Sequence, residues 1–150
     1  MRSIQNADWN TVATELRRML DDGIRSQVVR SKALQVSEEG DEVASIFEWI
    51  KDRYRYTPDP YGRELFTSPA KLLEQYESSG VIAEDCDSAS LLIAAMLGSI
   101  GKETKLVFVG NDEIEHIIAV VNTPHGRIDL DLTTSNPLGW VQPYQIRKDV

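Results

Sequence analysis

Cys86 is the only cysteine of the chain and lies in the run Glu84-Asp85-Cys86-Asp87-Ser88-Ala89-Ser90, just ahead of the apolar stretch Leu91 to Leu97. That pattern places the thiol at the start of a helix. Unpaired backbone N–H groups give a helix N-terminus a partial positive charge, which favours a thiolate over a thiol. A lone cysteine with a histidine and an acid elsewhere in the chain is the sequence form of a thiol nucleophile. The competing reading is an inert thiol, because free cysteine is among the most buried residue types.

The partners for such a nucleophile come from a hairpin expected after the helix. If residues 122–125 form its loop, Val121 faces Gly126, His116 faces Asp131 and Ile118 faces Asp129. Directly opposed residues bring their Cβ atoms within about 4.5–5.5 Å, close enough for a carboxylate to accept from an imidazole N–H. Ile117, Ala119, Val121, Ile128 and Leu130 form the reverse, apolar face that would fix the pairing. In this arrangement His116 would take the thiol proton and return it to the leaving group. Asp131 would hold the imidazole tautomer and stabilise the imidazolium, while N–H groups at the helix start would donate to an oxyanion. Asp129 shares the His116 face and is the rival orienter. His125, in a Pro-His-Gly loop tip, reads as a solvated turn residue.

The elements that must position these residues read as helices first and strands afterwards. A helix over 6–22 carries Trp9, Val12, Leu16 and Met19 at helical spacing, with Asn6 or Asp8 as cap and Gly23 as stop. A second covers 24–36. A third follows Gly40, with Val43, Ile46, Phe47, Ile50 and Tyr54 on one stripe, and ends before the loop signal Thr57-Pro58-Asp59-Pro60-Tyr61-Gly62. Ser68-Pro69 opens a fourth through Tyr76, and Ser78-Ser79-Gly80 breaks it. The cysteine helix spans 86–99, capped by Asp85 and ended by Gly101, and it is apolar on all sides, as a central helix must be. Strands are expected over 104–109, 114–121 and 126–132, with an irregular tail covering one edge of the sheet. Helices followed by an antiparallel sheet make an α+β layout.

The length of 150 residues suits one domain, with 1–40 as a helical extension, 41–140 as core and 141–150 as tail. A net charge of −8 argues against nucleic acid as a partner. One cysteine makes no internal disulfide, the N-terminus lacks signal-peptide character and the longest apolar run is too short for a bilayer. The expectation is a cytoplasmic domain without a membrane partner. One cysteine and two histidines without CxxC or HExxH spacing give no metal site, no calcium-loop pattern occurs, and no cofactor is expected.

The run Asp85-Cys86-Asp87-Ser88-Ala89, the Leu/Ala-rich helix ending in Gly101, His116 in an alternating strand and Leu130-Asp131-Leu132-Thr133 together resemble the transglutaminase-like cysteine peptidase superfamily. Upstream, Phe47-Glu48-Trp49-Ile50-Lys51 to Tyr56, Asp59-Pro60 and Ser68-Pro69-Ala70 are similar to the small versions found in bacteriophage and prophage genomes. The resemblance covers about residues 40–140. It implies a papain-like fold with Cys86 as nucleophile, His116 as general base and acid, and Asp131 as orienter. It also implies metal-free thioester chemistry on an amide of a protein or peptide substrate. Tyr54 and Tyr56 are the candidates for an extra oxyanion donor, and a family tyrosine near this point favours Tyr56. Two positions depart from the pattern: Glu84 stands where the family has glycine, and Ile118 where it has an aromatic. With the phage likeness, Glu84 motivates an alternative, a virion structural or assembly protein that keeps the fold without the catalysis and partners other phage structural proteins.

Overall fold

The computed structural model describes residues 9–57, 66–140 and 143–150. Within them run α1 (Trp9–Arg25), α2 (Gln27–Val36), α3 (Glu42–Arg53), β1 (Tyr54–Tyr56), α4 (Pro69–Ser79), β2 (Ile82–Glu84), α5 (Cys86–Ser99), β3 (Glu103–Gly110), β4 (Ile114–Thr123), β5 (Gly126–Leu130) and β6 (Ile146–Asp149). The caps expected at Asn6 or Asp8 and the loop over 58–62 lie outside the described residues.

Helix α5 is the centre of the molecule. Every residue from Cys86 to Leu97 is buried, and the helix packs against α1, α2, α3 and α4 as well as β3 and β4. Its all-round apolar sequence requires this, because no face of it can meet water without exposing leucine, isoleucine or alanine. Leu16, Val29, Ala33, Ile46, Phe47 and Leu72 bring the other helices into the same cluster.

Gly23 does not stop α1, which runs through it to Arg25. The reason is packing: a Cβ on Gly23 would lie 2.8 Å from the Ala95 Cβ and 3.0 Å from Pro69 Cγ, so glycine lets α1 press against α5 and α4. The break comes at Ser26, whose hydroxyl accepts from the Val29 N–H at 3.3 Å and caps α2. Ser68 caps α4 in the same way, with Pro69 in the first turn and Gly80 at φ +78° closing the helix after Ser79.

Two short strands were not legible in the sequence. Tyr54 ends the stripe expected of α3 but belongs to β1, which pairs parallel with β2 in the register Tyr54↔Ile82, Arg55↔Ala83, Tyr56↔Glu84. The main sheet has the order β5-β4-β3-β6. The irregular tail therefore ends in a strand: Ile146–Asp149 pairs antiparallel with β3, Val107 facing Asp149 and Gly110 facing Ile146.

The β4–β5 hairpin is tighter than expected. Its pairs are Thr123↔Gly126, Asn122↔Arg127, Val121↔Ile128, Val120↔Asp129 and Ala119↔Leu130, with Pro124 and His125 alone in the turn. The register is thus displaced by two residues from one in which Val121 faces Gly126. A displacement of two keeps every side chain on its face. Ile117, Ala119, Val121, Ile128 and Leu130 meet the helices as expected, while Val107, Val109, Ile118 and Val120 make a second cluster with Tyr144 on the other face.

Candidate active site

Three elements converge on one cavity of about 500 Å³, lined by Tyr56, Cys86, His116, Asp131, Thr133, Thr134 and Tyr144. Cys86 is the first residue of α5. Asp85 caps that helix, its carboxylate accepting from the Ser88 N–H at 3.4 Å. The thiol is buried, and its S–H donates to Asp87 Oδ1 at 3.3 Å. The start of α5 is tied down from outside: the Thr67 N–H donates to Ser88 Oγ at 3.0 Å, and the Thr67 hydroxyl donates to Glu84 Oε1. The carboxylate of Glu84, the departure from the family glycine, is thereby engaged by a neighbouring side chain.

His116 is carried by β4, and the distance between β4 and α5 is set one turn beyond the thiol. Ser90 Oγ donates to the Ile117 carbonyl at 3.0 Å, a buried bond between the nucleophile helix and the residue next to His116. His116 Nε2 lies 3.1 Å from Asp131 Oδ2. Continuing the hairpin register past its last pair sets Asp131 opposite Ile118, so His116 reaches its acid diagonally rather than straight across. Diagonal neighbours in a sheet remain within reach of long side chains. Asp131 itself sits one residue past the end of β5 and is fixed by Thr133, whose N–H and hydroxyl both donate to Oδ1, at 3.0 and 2.6 Å.

The electrostatics follow from these bonds. Burial alone would lower the pKa of His116, yet hydrogen bonding and charge from Asp131 and Cys86 outweigh it and hold it at about 9. Burial likewise works to raise that of Asp131, and the bonds from His116 and Thr133 bring it below the usual carboxylate range. Both directions favour an imidazolium–carboxylate pair. The second ring nitrogen, Nδ1, is buried and has no hydrogen bond among the described residues. It is the ring nitrogen left to exchange a proton with Cys86, whose charge helps hold the ring protonated.

Of the two candidate acids, Asp131 is the one bonded to His116. Asp129 is turned to Arg147, whose guanidinium donates to both its carboxylate oxygens at 2.8 and 3.0 Å, and the rival orienter is thereby occupied elsewhere. Tyr56 lines the cavity and is 46% exposed, whereas Tyr54 is 8% exposed. His125 is exposed in its turn. Thr134 and Tyr144 were missed by sequence reasoning. Tyr144 precedes β6 and lies with its ring 6.5 Å from that of His116, a proximity created by long-range pairing that no local pattern announces. Thr133 carried a signal, as the last residue of the Leu-Asp-x-Thr run. Among the described residues no group of three or more His, Cys, Asp or Glu is arranged to hold a metal ion, and no helix is long and apolar enough to cross a membrane.

No protein-family model matches the chain, and no curated protein sequence matches it. Its fold does match solved structures. A candidate cysteine protease from Cytophaga hutchinsonii superimposes with a TM-score of 0.57 at 15% identity, over 74% of this chain and 39% of that one. A candidate protease from Parabacteroides distasonis gives 0.62 at 14% identity, over 83% of this chain and 26% of that one. LapG from Legionella pneumophila gives 0.52 at 14% identity, over 91% of this chain and 71% of that one. This chain spans well under half the length of the first two. The fold is α+β, a central helix packed on an antiparallel sheet, and it is the fold of these candidate proteases and of LapG.

Proposed function

We propose that the chain is a cysteine-dependent amide hydrolase acting on protein or peptide substrates through Cys86, His116 and Asp131. The observation that carries this reading is the 3.1 Å bond of His116 to Asp131 in the same cavity as a thiol at a helix N-terminus. With the thiol proton passed from sulfur to the His116 ring, the raised pKa of the ring favours a thiolate–imidazolium pair, and the thiolate attacks the scissile carbonyl carbon. The carbonyl oxygen becomes an oxyanion that accepts from backbone N–H groups at the start of α5, with Tyr56 on the cavity wall as a further donor. On collapse the C–N bond breaks, the amine takes the proton from His116, and a thioester remains on Cys86. His116 then removes a proton from water, whose oxygen attacks the thioester carbon, and the acid product departs as the sulfur is released. Asp131 keeps the ring oriented and charge-compensated throughout. A free thiol nucleophile stays reduced in a cytoplasmic setting, which is where we place the activity.

The test is digestion of a proteome-derived peptide library, with new termini read by mass spectrometry. The wild type should create termini that Cys86→Ala and His116→Ala do not, and brief acid quenching should leave an acyl adduct on Cys86. Termini produced equally by Cys86→Ala would exclude this nucleophile.

A further inference from the structure

The geometry points to Tyr54 as a positioning residue for the nucleophile, its phenolic O–H donating to the Cys86 sulfur once that sulfur is an anion. The inference rests on Cys86 being the nucleophile, and it explains a hydroxyl that the fold leaves unused. Tyr54 is packed into the main core cluster, and its Oη is buried without a hydrogen bond. A buried hydroxyl lacking a partner is costly, and buried tyrosines generally find one. Such a donor is retained either by accident of packing or for an acceptor that appears only in another state.

The strand pairing brings Tyr54 alongside the segment that leads into Cys86. Strand β1 lies parallel to β2 with Tyr54 beside Ile82, and β2 leads through Glu84 and Asp85 directly into Cys86. Of the charges that act on the phenol, that of Cys86 is the strongest, followed by Asp85, Tyr56 and Asp131. In the resting arrangement the sulfur is itself a donor, to Asp87, and a neutral thiol is a weak acceptor. When its proton passes to His116, the sulfur becomes a strong acceptor and Tyr54 gains the partner it lacks. The bond therefore favours the anion over the thiol, and Tyr54 keeps its own proton. Burial first, and then these negative neighbours, hold its pKa above the ordinary tyrosine value, so it remains a donor wherever the thiol ionises.

The site needs such a donor. Facing the sulfur are Asp85 and Asp87 from the start of α5, His116 from β4, Asp131 beyond β5, and Tyr56 and Tyr144 on the cavity walls. Three of these are carboxylates that oppose a second negative charge, and the favourable side otherwise consists of His116 and the helix N-terminus. Tyr56, half exposed in the cavity, is placed for the substrate. Tyr54, on the same short strand but buried in the core, is the one left for the sulfur.

Tyr54→Phe keeps the ring and deletes the hydroxyl. Iodoacetamide alkylation of Cys86 should be followed by mass spectrometry across neutral pH, beside thermal denaturation. The expected result is a rate-against-pH profile moved up by about one unit and a rate near neutrality lower by about tenfold, the size of one hydrogen bond to a charged group. The melting temperature should be unchanged or higher, because an unsatisfied buried hydroxyl has been removed. A merely structural role would give the reverse, a lower melting temperature with an unmoved profile. An unmoved profile, or a lowered melting temperature, would overturn the assignment. Absence of Cys86 alkylation in the wild type would instead overturn the nucleophile itself, so the two failures are distinguishable.

Discussion

Replacing Asp131 by alanine should invert the way His116 makes stability depend on pH. Bonds and charge from Asp131 and Cys86, working against burial, raise the ring from 6.5 to about 9. A histidine raised in this way keeps its proton in the fold after the unfolded chain has released it. Its contribution is complete below pH 6.5, the unperturbed value, and is lost as the pH rises through about 9. At about 1.4 kcal/mol per unit, that window amounts to about 3 kcal/mol. The ring's side chain is 4% exposed, so solvent screening discounts this little. Against a total of roughly 5–15 kcal/mol for a domain, it is easily measured. In Asp131→Ala the Nε2 atom retains only the Thr133 hydroxyl, 3.4 Å away. Burial then regains weight and the ring is driven toward neutrality. The variant should lose stability toward acid pH, where the unfolded histidine takes up a proton that the buried ring resists. Urea denaturation of both proteins between about pH 5.5 and 9.5 gives the difference, in which groups common to both cancel. The gap should be widest at the acid end and close toward the alkaline end. Parallel curves would refute the coupling of His116 to Asp131.

Four further substitutions separate the site from its surroundings. Asp129→Asn removes the charge and one of the two acceptors that bind Arg147 and should cost about 1–3 kcal/mol in denaturant titration while leaving Cys86 alkylation unchanged; slowed alkylation would make Asp129 an orienter after all. Ser90→Ala removes the bond to the Ile117 carbonyl, costing about 1–2 kcal/mol and also slowing alkylation. Ser99→Ala, which loses a bond within α5 to the Met96 carbonyl, is the control that should lower stability alone. Gly23→Val forces a side chain into the 2.8 Å contact with Ala95 and should lower stability by about 1–3 kcal/mol, seen as a reduced melting temperature.

What the sequence disclosed was whatever depended on local pattern. The apolar circumference of 91–97 declared a central helix, Asp85 its cap and Ser68-Pro69 the start of α4, because caps and periodicities are written within a few residues. The pairing of His116 with Asp131 was reached through a register two residues from the real one. It survived because a two-residue displacement preserves the faces and because Asp131 stands beyond the strand, where its carboxylate can lean back to His116. Gly23 misled because a glycine required for helix contact is indistinguishable, in one sequence, from a glycine that ends a helix. Strands β1, β2 and β6 were hidden for a different reason. Each is three or four residues long and exists only through a distant partner, and with β6 went the position of Tyr144 at the cavity.

The most direct test of Cys86 as a nucleophile activated by His116 is the second-order rate of its alkylation by iodoacetamide near neutral pH, in the wild type and in His116→Ala. The expected result is selective labelling of the wild type and a rate about a hundredfold lower in the variant, the low end of what a positioned base supplies. Equal rates in the two proteins, or a wild-type thiol that does not react, would contradict it.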